Sequence, residues 1–238
     1  MQLNNFSPAQ PRPMPVFLLV DTSGSMRGEK IQSVNMALRD MVASFRAVND
    51  IRGEIQLAII TFGEEVTIAQ ELAPLDQLAL TELEAAGKTP MGSALEFLLL
   101  MLEDKDIVLS RAYTPTVVLI SDGIPTDVTR ELWDKAVAGE TTVADFLDWP
   151  PLNALHVSER GSKCIRLAMG IGDDANNEML TAFVNRPGVP VIKARDARGI
   201  EEFFQWVTLS VTSRSVSKNP DMLAIPDFDD FADAEIVI

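Results

Sequence analysis

"FLLVDTSGSM" (residues 17–26) runs an apolar stretch straight into an aspartate and then alternates small hydroxyl residues with glycine. A continuous apolar run, here beginning at Val16, is the pattern of a central parallel strand covered on both faces. In open α/β sheets the carboxyl ends of such strands are where ligands gather. Asp21, Thr22, Ser23, Gly24 and Ser25 therefore read as a short loop at that edge. Its side chains supply only oxygen, on a backbone able to close around something small.

Working outward, the period changes. Ile31, Val34, Leu38, Met41, Val42 and Phe45 recur at three- and four-residue steps, predicting a helix over 29–48 with one buried stripe. Residues 55–62 form the next strand, with 66–72 as its antiparallel neighbour across Gly63-Glu64-Glu65. A helix is expected over 91–102, with Pro90 favouring its first turn. Buried strands follow at 117–121 and 165–171, a short helix at 176–185 and a strand at 189–192, which Pro190 places at an edge. The last helix, 199–213, aligns Ile200, Phe203, Phe204, Val207 and Val211. This alternation predicts an α/β fold: a doubly wound, mostly parallel sheet with helices on both faces and one antiparallel edge strand. Residues 1–14, polar and proline-rich, read as a flexible lead, and 139–162 as an insertion. Residues 214–238 read as an acidic tail, whose "DFDDF" can be a solvated extension or a docking segment.

A second buried strand also runs into an aspartate, Asp122, and Thr89 lies in the loop that opens the 91–102 helix. Asp21, Ser23, Ser25, Thr89 and Asp122 thus converge on one sheet edge. An all-oxygen donor set suits a hard cation. Mg2+ fits best, since it takes one or two carboxylates and keeps positions for water or an incoming oxygen, with Mn2+ as the alternative.

"DTSGS" resembles the D-x-S-x-S signature of the metal-ion-dependent adhesion site of von Willebrand factor A domains, and Thr89 and Asp122 stand where that family places its remaining ligands. The resemblance covers residues 15–213. Within the family, "RPMPVFLLVDTSGSM", "DGIPTD" and "FFQWVTLSVTSRSVS" resemble the bacterial tellurite-resistance proteins of the TerY type. The resemblance implies a non-enzymatic module in which a partner's Asp or Glu completes the metal's coordination. It also implies a setting in a tellurite, stress-response or phosphorylation-linked complex, with a kinase or phosphatase of the same system as candidate partner. The insertion at 139–162 departs from the family pattern and leaves the partner surface open.

Composition narrows the alternatives. A formal charge of −15 argues against nucleic acid or an anionic membrane as partner. A single cysteine, Cys164, and a single histidine, His156, leave neither an internal disulfide nor a Cys- or His-based zinc site. Apolar runs fall far short of the roughly 20 residues that span a bilayer, and no secretory signal is visible, so a cytoplasmic setting is expected. Cys164 reads as an inert core thiol and His156 as a surface residue of the insertion. Trp149 with Phe146 reads as a partner patch or as a local cap, and Asp127 as a bond within its own loop. The "GKT" at 87–89 lacks the glycine that a phosphate loop needs, since Glu82 stands there. A Mg2+-dependent phosphohydrolase using Asp21 as nucleophile is the competing function. Such an enzyme wants a second aspartate two residues on, and this chain has Ser23.

Overall fold

The computed structural model describes residues 11–48, 53–222 and 235–237. Its strands are β1 (Arg12–Asp21), β2 (Gly53–Phe62), β3 (Val66–Pro74), β4 (Thr116–Ser121), β5 (Ile165–Ile171), β6 (Val191–Ala194) and β7 (Glu235–Val237). The helices are α1 (Glu29–Ala47), α2 (Met91–Glu103), α3 (Arg130–Ala138), α4 (Val143–Leu147), α5 (Pro150–Val157), α6 (Asn177–Val184) and α7 (Ala197–Val216). The strands lie in one sheet in the order β3-β2-β1-β4-β5-β6-β7, with β2, β1, β4, β5 and β6 mutually parallel and the two outer strands, β3 and β7, antiparallel.

Alternation along the central strands divides the core into two layers. Val16, Leu18 and Val20 of β1 face α1 and α7, packing with Val34, Leu38, Phe45, Phe203 and Trp206. Phe17 and Leu19 face the other way, toward Leu95 and Leu98 of α2 and toward Phe146, Leu152 and Phe183. This is the doubly wound arrangement expected from the apolar runs: a strand buried on both faces has no polar alternation to show.

The structure departs from the sequence reading at four places. A second antiparallel strand, β7, pairs with β6, Ile192 opposite Ile236, so β6 is not the edge that Pro190 suggested. Pro190 instead lies just before the strand, where its missing N–H costs no ladder bond. β1 begins at Arg12, inside the segment read as a lead. Its prolines are tolerated because pairing with β4 starts only at Val16, leaving β2 as the one strand paired with Pro13 and Pro15, while the Pro13 carbonyl accepts from Tyr113 N–H at 2.8 Å. Arg12 is held there by its position 3.8 Å over the Tyr113 ring and by donating to the carbonyls of Arg111 and Ala112. α7 continues past 213 to Val216, with Arg214 buried and donating to Thr116 Oγ1 and to the carbonyls of Thr114 and Pro220. Finally, α3 is a helix that the sequence reading does not place. The "DFDDF" segment lies outside the described residues. The stretch read as an insertion contains α4, which lies against α6, and α5, which lies against α2. Among the described residues, no helix is long and apolar enough to cross a membrane.

Candidate metal centre

Three connections leave the carboxyl edge of the sheet side by side, after β1, before α2 and after β4. Backbone bonds lock the first two together: Ala86 N–H donates to the Thr22 carbonyl at 2.7 Å, and Gly24 N–H to the Gly87 carbonyl at 3.0 Å. Thr22 N–H in turn donates to Phe62 of β2. The crossing is close enough to dictate a residue type. Gly87 has φ +84°, and a Cβ on it would lie 2.4 Å from the Glu64 backbone. The third loop joins through Thr89, whose carbonyl accepts from Thr126 N–H at 2.9 Å and whose N–H donates to Thr126 Oγ1.

Around this junction the five residues singled out from the sequence gather. Asp21 is 0% exposed; its Oδ1 accepts from Ser23 N–H at 2.8 Å and its Oδ2 from Ser121 Oγ at 2.6 Å. The Ser23 and Ser25 hydroxyls are 2.9 Å apart, and Ser25 Oγ donates to Asp122 Oδ1 at 2.8 Å. Buried Thr89 directs Oγ1 toward the third loop, 3.7 Å from where a Cβ on Gly123 would stand. A hydrogen-bonded run therefore links the end of β1 to the end of β4, through the Ser23 N–H and then oxygen to oxygen from Ser23 to Asp122. Only Ser25 of the five is exposed to solvent.

Electrostatics favour a cation here. Burial pushes the Asp21 carboxyl up to about 6, with the nearby Asp122 charge adding to the rise and the bonds from Ser121 and Ser23 opposing it. Two buried carboxylates balance a divalent ion, and three hydroxyls add neutral oxygen donors. Among the described residues, no group of three or more His, Cys, Asp or Glu side chains gathers to hold a metal. This donor set is hydroxyl-rich instead, and it fits Mg2+ or Mn2+ rather than a soft metal. Asp21, Ser23, Ser25, Thr89 and Asp122 are the residues that could hold such an ion.

Two neighbours escaped the sequence reading. Ser121 orients Asp21, and Lys30 of α1 places Nζ 2.5 Å from Asp122 Oδ2. The signal for Lys30 was a cation in the first turn of a helix, where the macrodipole disfavours it. Asp127 bonds to α2 rather than within its own loop. Its carboxylate accepts from Gly92 N–H at 3.0 Å and Ser93 N–H at 2.8 Å, because Pro90 brings no capping side chain. Phe146 and Trp149 meet edge to face with centroids 6.4 Å apart, and both are buried in the layer that holds α2, Trp149 lying against Gly92. His156 is half-buried rather than on the surface, its Nε2 3.3 Å from the Phe183 carbonyl, and burial lowers its pKa. Cys164 is buried, and desolvation pushes its thiol up to about 12. Beside Thr22 runs an open groove of about 540 Å3 whose lining includes Glu64, Glu65, Glu82 and Glu84.

Comparison with known proteins bears on the fold. Residues 16–124 match the family model of the von Willebrand factor type A domain. Among solved structures, a von Willebrand factor type A protein from Catenulispora acidiphila superposes with a TM-score of 0.60 at 16% identity, over 84% of this chain and 42% of that one. The pilus adhesin SpaC from Lactobacillus rhamnosus GG gives 0.62 at 16%, over 87% of this chain and 31% of the adhesin. The manganese-loaded TRAP protein of Plasmodium vivax gives 0.56 at 21%, over 84% and 73%. The chain thus spans less than half the length of the first two. No curated protein matches it in sequence.

Proposed function

Starting from a chain that has the von Willebrand factor type A fold and matches that domain's model over residues 16–124, we propose that it is a metal-dependent protein-binding module. Asp21, Ser23, Ser25, Thr89 and Asp122 hold a Mg2+ or Mn2+ ion, and the ion takes an Asp or Glu from a partner protein. The observation that carries this reading is the hydrogen-bonded run from Asp21, through the Ser23 N–H and the Ser23 and Ser25 hydroxyls, to Asp122, at the sheet edge where three loops meet. When bound, the ion supplies a Lewis-acidic position for an anionic oxygen. The protein's part is to fix the hydroxyls, shield the carboxylates from water and leave one side open beside exposed Ser25. The manganese-loaded state of the Plasmodium relative supports a divalent ion in this fold.

Binding is favoured over phosphoryl transfer because Ser23 stands where a phosphohydrolase of this kind needs its general acid. The glutamates along the adjacent groove favour a partner whose donated carboxylate is flanked by basic residues. We further propose a cytoplasmic tellurite, stress-response or phosphorylation-linked complex as its setting, which the sequence motifs that resemble TerY-type proteins support, with a kinase or phosphatase of that system as the first candidate partner.

The test is a pull-down from native lysate with Mg2+ and with EDTA, using Asp21→Ala as control. A partner retained only by the parent protein in Mg2+ is the expected result. Equal capture in all three arms would refute metal-dependent binding, and turnover of a phosphomonoester that is lost in Asp21→Ala would install the hydrolase reading instead.

A further inference from the structure

Lys30 stands behind the candidate site rather than in it. Asp122 is buried, and its two oxygens face different groups. Oδ1 takes the Ser25 hydroxyl and so belongs to the chain of oxygens, while Oδ2 takes the Lys30 ammonium at 2.5 Å. The lysine side chain remains 31% exposed, so it reaches inward from the helix surface to make this contact. It does so from the second residue of α1, where a cation opposes the helix dipole and where Gly28 offers no capping side chain. The loop after β5 closes over it: a Cβ on Gly172, which has φ +80°, would lie 3.7 Å from Lys30 Nζ. Nearby Asp173 does not share the lysine, being paired with Lys193 at 2.8 Å.

We propose that Lys30 is a charge-setting positioning residue: a fixed cation behind Asp122 that loosens the site's hold on its metal and leaves the bound ion more attractive to a partner's carboxylate. The inference rests on the reading of the five oxygen-bearing residues as a divalent-ion site. Its physical basis is charge balance. Asp21 and Asp122 together cancel a divalent ion, and Lys30 restores one positive charge to the assembly. The same charge that repels the metal attracts an incoming anion, so metal affinity is traded for partner affinity. For an ammonium about 5 Å from a divalent ion under water-like screening, the repulsion is worth about tenfold in metal affinity. A lysine that merely braced Asp122 would act in the opposite sense, since its loss would free the carboxylate to move and weaken metal binding.

Titration of the full-length protein with Mn2+ alone, following free Mn2+ by electron paramagnetic resonance, distinguishes the two. Lys30→Met and Lys30→Gln are expected to bind Mn2+ about tenfold more tightly than the parent at low ionic strength. Lys30→Arg, which keeps the charge, is expected to stay close to the parent. The gap should narrow as salt is raised, because the charge is partly exposed to solvent. Circular dichroism of each variant establishes that it is folded, and the glutamine variant serves if the methionine variant is not. Equal or weaker Mn2+ binding by the neutral variants would overturn the role given to Lys30 while leaving the site intact. If the parent binds no Mn2+, or binds it equally after Asp21→Ala, the site reading itself fails and this inference falls with it.

Discussion

Replacing Asp21 by asparagine should stabilise the metal-free protein and abolish its response to metal. Asp21 is fully buried, and desolvation raises its carboxyl from 3.8 to about 6. At roughly 1.4 kcal/mol per unit, a shift of about two units means that the charged form costs the fold about 3 kcal/mol. The sign follows from linkage. The folded-state pKa lies above the unfolded one, so this penalty is absent below about pH 4, grows as pH rises, and is complete above about pH 6. Asparagine is neutral at every pH and nearly isosteric. It keeps an acceptor for Ser23 N–H but turns an amide N–H2, in place of the second oxygen, toward Ser121 Oγ, a rearrangement worth about 1 kcal/mol. The net gain at pH 7.5 in EDTA is about 2 kcal/mol, or about 4–8 °C in Tm for a chain of this size. Thermal unfolding by circular dichroism at pH 7.5 and at pH 4.5 measures it, and the advantage should shrink at the lower pH. Saturating Mg2+ should reverse the ranking, because a ligand at a hundred times its Kd stabilises the parent by about 2.7 kcal/mol and the variant not at all. An Asp21→Asn protein less stable than the parent in EDTA, with Mg2+ raising both equally, would refute the reasoning.

Other substitutions probe how the loops are held. Gly87→Ala places a Cβ against the Glu64 backbone at positive φ, and chemical denaturation should show a loss of about 3 kcal/mol or more. Asp127→Ala removes the acceptor for Gly92 and Ser93 N–H; it should cost about 1–2 kcal/mol by the same assay and, through the Thr89 loop, weaken Mn2+ binding. Arg214→Met strands the Thr114 and Pro220 carbonyls in a buried setting and should cost about 2–4 kcal/mol. Cys164, with its thiol pushed up to about 12, should resist a disulfide reagent at pH 8 in the native state and react at once in denaturant.

The sequence was most legible where burial is symmetric. The runs at 117–121 and 165–171 match β4 and β5 to within a residue, because a strand covered by helices on both faces is apolar along its middle, polar residues standing only near the ends, as Thr116, Ser121 and Arg166 do. α3 was missed for the converse reason: in "RELWDKAVA" only Leu132 and Ala136 are buried, too few to mark a stripe. β7 pairs with a strand some forty residues earlier in the chain, and a three-residue partner carries no local signal. The candidate site was legible in the residues that end strands or carry a motif. Its supporting shell was not. Ser121 and Lys30 act through a neighbour's carboxylate, and only folding puts Lys30 beside Asp122, because the two are joined by the crossover of the whole first half of the sheet. Asp127 illustrates the same limit, since its partners lie on α2 and not in its own turn.

The most direct measurement is a crystal structure of the full chain grown with Mn2+ and examined by anomalous scattering. The expected result is one strong peak within about 2.0–2.3 Å of the Ser23 and Ser25 hydroxyls, bordered by Asp21, Thr89 and Asp122, with a remaining position open to solvent. A peak held by other residues, or none at these five at saturating Mn2+, would contradict the account.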